Sequence, residues 1–399
     1  MKRITATILI SLLAVALLTG CWNRRELNDL SIALGIGIDK VGERYRLSVQ
    51  IVNPQEIAAR KGGSDSSPVT IYEETGDTLF EIFRRMTTHT PRKIYMSHLR
   101  ILIIGEEVAK DGIQNVLDVF ARDHEMRTDF YVIIARDTEA KQVLSILQPL
   151  EKVPANFLYK TLQTSESVWA PTIGIFLDEL LSDLMVKGKE ATLTGVRVLG
   201  DAEAGIKVDH LKATRTSAFL KYSTIGVFRA DKLVGWLNEE ESKGYNYISN
   251  RVKSTVGVLP CPGGGKMDVE VIRTKTKLSG KVTDGQPEIT IEIRIDQNVG
   301  EVACDIDITD PDVMNKMDRV GEKKIKSIVE KTVQRAQKKY KSDIFGFGDA
   351  IRRSSPKEWE RLENDWDNLF PEVPVRYNVQ VSTLRTGTQS NSFINKMER

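Results

Sequence analysis

The residues from Leu99 to Ala135, LRILIIGEEVAKDGIQNVLDVFARDHEMRTDFYVIIA, place a helical pattern between two short apolar runs. The runs Leu99–Gly105 and Phe130–Ala135 predict strands. Between them, apolar residues recur at helical spacing over Glu107–Ala121, and a second helix is predicted over Ala140–Leu147. Strand, helix, strand and helix at this spacing predict a crossover unit with parallel neighbouring strands.

Two hairpins are predicted on either side of this unit. Before it, Ser31–Ile51 alternates apolar residues with small or polar ones, which predicts strands that are buried on one face. After it, Met267–Leu278 and Ile289–Ile295 predict two long antiparallel strands. Asp284 and Gly285 lie in the loop between them and favour a hairpin turn.

The C-terminal part of the chain adds a long helix. Asp310 followed by Pro311 is a favoured helix start, and the helical pattern continues to about Ser342. Val375–Val381 predicts a last strand, and Gly205–Leu211 an edge strand earlier in the chain. The fold class expected is therefore α+β, with several domains and mostly antiparallel or mixed sheets flanked by helices.

The domain layout follows from these elements and from the N-terminus. Residues 1–20 are expected to be a lipoprotein signal peptide. An N-terminal α+β region of one or two domains is expected at 21–200, then a linker with edge strands at 201–220. A C-terminal α+β domain with the long helix near 311–342 is expected at 221–399.

The N-terminus has a positively charged start and an apolar run of 15 residues, Ile4–Leu18. This run is shorter than the ~20 residues of a membrane-spanning helix and is typical of an export signal. It ends in four residues that resemble a bacterial lipobox: Leu18, Thr19, Gly20 and Cys21. In that motif, diacylglycerol is joined to the cysteine sulfur and the signal is cut off just before it.

We therefore predict that Cys21 is lipidated and that its acyl chains hold the protein to a membrane. The alternatives are an ordinary signal peptide with an unrelated cysteine, and an uncleaved anchor. No second apolar run in the sequence is long enough to span a membrane. We therefore expect everything after Cys21 to be soluble and outside the cytoplasm.

The composition is that of a globular protein without affinity for nucleic acid. The chain has 399 residues, 41% of them hydrophobic and 28% charged, with a net charge of +2. So small a charge does not indicate binding to nucleic acid. Cys261 and Cys304 remain after Cys21; we expect two unpaired, partly buried thiols, with a disulfide as the alternative.

The sequence lacks the usual signatures of catalysis. Its four histidines have neither the mutual spacing nor the neighbouring cysteines of a zinc site. Gly263–Lys266 (GGGK) resembles a phosphate-binding loop, but Met267 stands where Ser or Thr is required. Glu239–Glu241 is interpreted as a solvated helix start and Trp236 as a packing residue. We expect no enzyme activity, no catalytic or metal-binding residues, and no cofactor.

Four stretches resemble the Ger(x)C family, the lipoprotein C subunits of spore germinant receptors. They are Cys21–Asp39 (CWNRRELNDLSIALGIGID), His98–Ile113 (HLRILIIGEEVAKDGI), Arg122–Ala135 (RDHEMRTDFYVIIA) and Lys232–Ile248 (KLVGWLNEEESKGYNYI). The resemblance covers nearly the whole chain. It implies a fold of three α+β domains, and Cys21 is the functional residue that it carries over.

The resemblance also implies partners and a location. Members sit in receptor complexes with two integral membrane subunits, A and B, and this chain would be held by palmitate-type acylation on the outer surface of the spore inner membrane. We expect a non-catalytic subunit that acts in germination. The alternative is a solute-binding lipoprotein that itself captures the germinant, which would favour two similar lobes around a cleft.

Overall fold

The computed structural model describes residues 3–8, 29–54, 56, 66–123 and 125–385, and it contains two β-sheets. Residues 3–8 are helical. The strands, in chain order, are β1 (Leu30–Val41), β2 (Arg44–Val52), β3 (Val69–Gly76), β4 (Lys93–Tyr95), β5 (Ile101–Gly105), β6 (Tyr131–Ala135), β7 (Thr192–Gly200), β8 (Ala218–Arg229), β9 (Lys232–Trp236), β10 (Thr255–Pro260), β11 (Lys266–Thr283), β12 (Gln286–Ala303) and β13 (Val375–Arg385).

Helices connect and cover these strands. They are α1 (Leu79–Met86), α2 (Glu106–Asp111), α3 (Gln114–Arg122), α4 (Ala140–Ser145), α5 (Pro154–Val168), α6 (Leu177–Met185), α7 (Ala202–Gly205), α8 (Glu239–Ile248), α9 (Pro311–Gln334), α10 (Phe347–Ser354), α11 (Pro356–Leu362) and α12 (Trp366–Leu369). A π-helical segment, Arg335–Tyr340, continues α9. In the described ranges no helix combines the length and the apolar character needed to cross a membrane.

The larger sheet has the strand order β3-β2-β1-β5-β6-β7-β8-β9, with β4 also paired to β1. Its centre, from β1 through β5 and β6 to β7, is parallel, which confirms the predicted crossover unit. Alternate residues of β5 face different apolar clusters: Leu102 and Ile104 join one, and Ile101 and Ile103 join the other. Burial on both faces explains why the strand is a continuous apolar run.

The smaller sheet has the order β10-β11-β12-β13. The predicted hairpin is confirmed as β11 and β12, each 18 residues long. It turns at Asp284 and Gly285, whose positive φ angles of 50° and 77° are those that a tight hairpin turn requires. Asp310 caps α9, with Pro311 at its first position, as predicted. The sheets as a whole are mixed, since β13 pairs with β12 in parallel.

One apolar core joins the two sheets. Its main cluster contains Ile38 and Leu193 from the larger sheet, Ile291 from the smaller sheet, and Tyr245 and Val329 from helices α8 and α9. Helix α8 packs against β8 of the larger sheet and against β11 and β12 of the smaller sheet, and α9 packs against α8 and the smaller sheet. At roughly 25 cal/mol per Å² of apolar surface removed from water, such burial is the dominant stabilising contribution.

The predicted edge strand at Gly205–Leu211 is wrong. This stretch holds the end of α7 and a 3₁₀ turn, Val208–Lys212. The cause is local: the Asp201 side chain accepts a hydrogen bond from the Ala204 N–H, at 3.2 Å, and starts a helical turn.

The expectation of two unpaired thiols is also wrong, because Cys261 and Cys304 form a disulfide with 6.4 Å between their Cα atoms. The cysteines follow the ends of β10 and β12. The hairpin register pairs Lys266 with Ala303, and this brings the two strand ends together. Because the two cysteines are 43 residues apart in the chain, their proximity could not be predicted from the sequence.

The larger sheet continues past the predicted linker. Residues 201–220 contain α7, the 3₁₀ turn and the start of β8. β8 and β9, which reach to residue 236, are the last two strands of the larger sheet. The division of the chain into domains at 21–200 and 221–399 stays a prediction.

Candidate functional site

The predicted lipidation site lies outside the described residues. This holds for Cys21 and for the lipobox residues Leu18, Thr19 and Gly20. The nearest strand of the larger sheet, β1, begins at Leu30, nine residues after Cys21. A chain of this length spans at most about 32 Å when fully extended. Covalent geometry therefore limits to about 32 Å the distance between Cys21 and the end of the sheet at which β1 begins.

A groove lies beside that end of the sheet, between helices α1 and α3. We call it the α1–α3 groove. It encloses about 440 Å³. Strand β4 contributes to it, and Lys93 of β4 pairs directly with Leu30 of β1. Its apolar lining residues are Phe80, Phe83, Ile94, Met96 and Val119.

Helix α1 exposes an aromatic ring to this groove. Thr78 caps the helix, and Leu79, Ile82 and Met86 point into the core. This spacing places Phe80 on the outer face, where it is 59% exposed. A single exposed apolar side chain is common on protein surfaces, but Phe80 adjoins the other apolar residues of the groove and forms one patch with them.

The floor of the groove is fixed by aromatic packing. Phe83 is partly buried and meets the ring of Phe120 edge-on, with 6.3 Å between the ring centroids. The Arg84 guanidinium lies 5.2 Å from the centre of the Phe80 ring and shields one face of it. Phe80 is thus exposed but held beside a cation.

Charges of both signs surround the apolar floor. Lys93 contacts the Glu125 carboxylate at 2.8 Å, and Arg122 contacts Asp118 at 2.7 Å. Exposed pairs of this kind contribute only about 0–1 kcal/mol, so a binding partner can exchange them at little cost. An apolar centre with a charged rim is the composition of a protein–protein interface.

Two carboxyl groups, of the buried Asp343 and the half-buried Glu190, have structural partners. Burial raises the pKa of Asp343 to about 6, although its carboxylate accepts hydrogen bonds from the N–H groups of Phe347 and Gly348 and from Trp366 Nε1. Burial likewise raises the pKa of Glu190 to about 7. Both groups accept backbone N–H bonds and hold loops in place.

The other sequence motifs have structural explanations. Gly263–Gly265 lies in the connection between the antiparallel strands β10 and β11, and Lys266 begins β11, whereas a phosphate-binding loop leads from a strand into a helix. Glu239–Glu241 forms the first turn of α8, and Glu239 and Glu240 are solvated as interpreted. The interpretation is wrong for Glu241, which is buried and contacts Arg335 at 2.7 Å. Trp236 Nε1 donates to Glu106 at 3.2 Å.

Metal-binding potential is low in the described part of the chain. There, His, Cys, Asp and Glu side chains form no group of three that could hold a metal ion. His210 is buried, and His89 and His98 make ring contacts with Tyr72 and Tyr95.

The sequence reasoning missed the α1–α3 groove. Its walls come from three segments spread over residues 80–125, and their adjacency depends on the pairing of β4 with β1. The sequence contained one indication of the groove. Phe80 is a large apolar residue that does not lie on the core-facing side of its helix, which Leu79, Ile82 and Met86 form.

Comparison with known proteins assigns the family. The model of the spore germination protein N-terminal domain matches residues 23–198, and the "Spore germination B3/ GerAC like, C-terminal" model matches residues 223–387. The crystal structure of the GerBC protein matches with a TM-score of 0.54 at 19% identity, covering 91% of this chain and 100% of that one. This structural likeness supports the α+β fold.

Relatives extend the match along nearly the full length. Spore germination protein KC of Bacillus subtilis (strain 168) is 31% identical over 390 residues, which is 95% of each chain. Spore germination protein B3 of the same organism is 24% identical over 384 residues, 93% of this chain and 95% of the relative. The chain therefore belongs to the GerAC-like family of spore germination proteins, the Ger(x)C family that its sequence resembles.

Proposed function

We propose that the chain is a non-catalytic, lipid-anchored subunit of a spore germinant receptor and acts in germination together with integral membrane A and B subunits. The observation that carries this proposal is the 31% identity to a spore germination protein over 95% of both chains. The proposed location is the outer surface of the spore inner membrane, with diacylglycerol on Cys21 as the attachment.

The geometry supports a docking role near the membrane. A tether of at most about 32 Å joins Cys21 to β1, and the α1–α3 groove lies beside the start of that strand. We propose that this groove receives a segment of a membrane-embedded receptor subunit. Attachment to the same membrane raises the effective concentration of the two partners, so a modest groove suffices for stable association.

The attachment is tested with Cys21→Ala. We expect the variant to stay as an uncleaved precursor, to incorporate no palmitate label and to impair germination. Thr19→Ser is the matched control, because it keeps a small residue in the lipobox and should be processed normally. Normal lipid labelling of Cys21→Ala would refute the anchor.

The groove is tested with Phe80→Ser in the full-length, lipidated protein. Because Phe80 is 59% exposed, its loss should change the free energy of unfolding by less than about 1 kcal/mol. We expect it to reduce co-purification of the A and B subunits. Met185→Ser, at another exposed apolar position, should leave co-purification unchanged; equal recovery with both variants would contradict the docking site.

A further inference from the structure

A second cavity lies between the smaller sheet and helices α8 and α9, and it encloses about 350 Å³. We call it the Lys243 pocket. Its apolar floor includes Val269, Val271 and Ile295 of strands β11 and β12, and Ile328 of α9 closes it from above. The volume lies at the lower end of the range of known small-molecule sites, ~300–1,000 Å³.

The pocket exists because two facing elements lack side chains there. Gly257 of β10 and Gly321 of α9 both line it. A Cβ atom at Gly321 would lie 3.5 Å from Val381 Cγ1 and 3.8 Å from Leu259 Cδ1, which are ordinary contacts. Neither glycine has the positive φ angle that excludes other residues. A side chain at Gly321 is therefore sterically permitted, whereas a Cβ atom at Gly257 would lie 3.2 Å from Val269 Cγ2, a tight contact.

Two lysines line this space: Lys324, whose ammonium donates to the Val258 carbonyl at 2.6 Å, and Lys243. The Lys243 ammonium lies 3.6 Å from the centre of the Trp169 ring. Its distance to the Glu239 carboxylate is 4.0 Å, too far for a direct hydrogen bond, and the Lys243 side chain is only 14% exposed. Burial lowers the pKa of Lys243, and Lys324 lowers it further, while Glu239 opposes the shift. An anion beside the ammonium would replace the solvation that burial removes.

The backbone around Trp169 is held by neighbouring elements. Thr255 of β10 donates its hydroxyl to the Trp169 carbonyl at 2.9 Å. The Asn246 side-chain amide of α8 donates to the carbonyls of Ala170 and Thr172 at 2.8 and 3.0 Å. The backbone at this wall of the pocket is thus bonded to both the sheet and α8, the helix that carries Lys243. A backbone that is already ordered adds little to the entropy cost of binding a ligand.

We infer that the Lys243 pocket binds a small carboxylate with an apolar body, whose carboxylate lies at Lys243 and whose body lies on the floor of Val269, Val271 and Ile295. The carboxylates of Glu239 and Glu240 at the mouth suit an additional ammonium group. Two kinds of compound have a carboxylate on an apolar body: an apolar amino acid, and a simple apolar carboxylate such as a short fatty acid. The inference does not depend on the proposed receptor function.

The test is calorimetric titration of the full-length protein in lipid nanodiscs, with empty nanodiscs as the blank. Three probes share one phenyl body: 3-phenylpropionate, phenylalanine and the uncharged 3-phenylpropanamide. We expect the amide to bind roughly tenfold more weakly than the better carboxylate, because it cannot form the charge-assisted bond to Lys243. Tighter binding of phenylalanine identifies the amino acid class, and tighter binding of 3-phenylpropionate identifies the simple carboxylate.

Two variants separate this site from other surfaces. Lys243→Met keeps the apolar stem and should remove the preference for carboxylate over amide. Lys326→Met should retain that preference, because Lys326 of α9 is half-exposed and pairs with Glu330 outside the pocket. Gly321→Leu should fill the pocket and abolish binding, whereas Gly321→Ala should leave affinity within about threefold. Equal affinity for amide and carboxylate, unchanged binding in either Lys243→Met or Gly321→Leu, or no heat at millimolar probe would overturn the inference.

Discussion

Removal of the Cys261–Cys304 disulfide should destabilise the smaller sheet by a calculable amount. The bond closes a loop of 43 residues, and the chain-entropy relation for a loop of that size gives about 4 kcal/mol at 25 °C. The loop contains the whole β11–β12 hairpin. Its closed end lies in a separate apolar cluster that includes Leu259, Met267 and Met317, so loss of the bond also loosens that cluster.

The assay is urea unfolding followed by circular dichroism, in a Cys21→Ser background that removes the lipid. We expect the Cys261→Ser/Cys304→Ser double variant to lose about 4 kcal/mol of unfolding free energy. Reductant should cause a similar loss in the parent protein and none in the double variant. Two reactive thiols in the denatured, unreduced parent would show that the bond is absent, and a loss below about 1 kcal/mol would show that it does not stabilise the sheet.

Three further changes test the packing, each by urea unfolding. Burial raises the pKa of Asp343 from 3.8 to about 6, so the native state binds its proton more tightly than the unfolded state. The difference in unfolding free energy between the parent and Asp343→Asn should therefore favour the parent most below about pH 3.8. This advantage should fall by about 3 kcal/mol as the pH rises to about 6, and it should stay constant at higher pH. A difference that does not change with pH would contradict this expectation. Asn238→Ala should cost about 1 kcal/mol, since it removes the capping box that joins Asn238 to Glu241, and unchanged stability would argue against that cap. Gly321→Ala should stabilise α9 by up to about 1 kcal/mol, because the new Cβ meets its neighbours at 3.5 Å or more; a destabilised variant would show that the helix packs more closely there.

The sequence pattern predicted a strand or helix correctly where its residues strongly prefer that structure and the tertiary packing agrees with the preference. The continuous apolar runs of β5 and β6, the alternation in β11 and β12 and the cap at Asp310 each reflect one dominant local preference. The edge strand expected at Gly205–Leu211 failed because alternation over so short a stretch also fits a turn, and Asp201 started a helix. In a stretch this short, the preference of alternating apolar residues for a strand competes with the capping of a helical turn by a side chain.

Features that form between residues far apart in the chain could not be predicted from the sequence. The Cys261–Cys304 bond depends on the register of an 18-residue hairpin. The Lys243 pocket needs Trp169 to sit beside α8, and the α1–α3 groove needs β4 to pair with β1. Each of these is a product of tertiary packing, whereas propensity and periodicity report on neighbours along the chain.

We propose that this chain works as a subunit of a membrane-bound germinant receptor. The most direct measurement is mild detergent extraction of spore inner membranes, recovery of a C-terminally tagged copy, and mass spectrometry of the proteins recovered with it. We predict co-recovery of one A-type and one B-type integral membrane subunit. Recovery of the chain alone, with both subunits detected in the same membranes, would contradict the account.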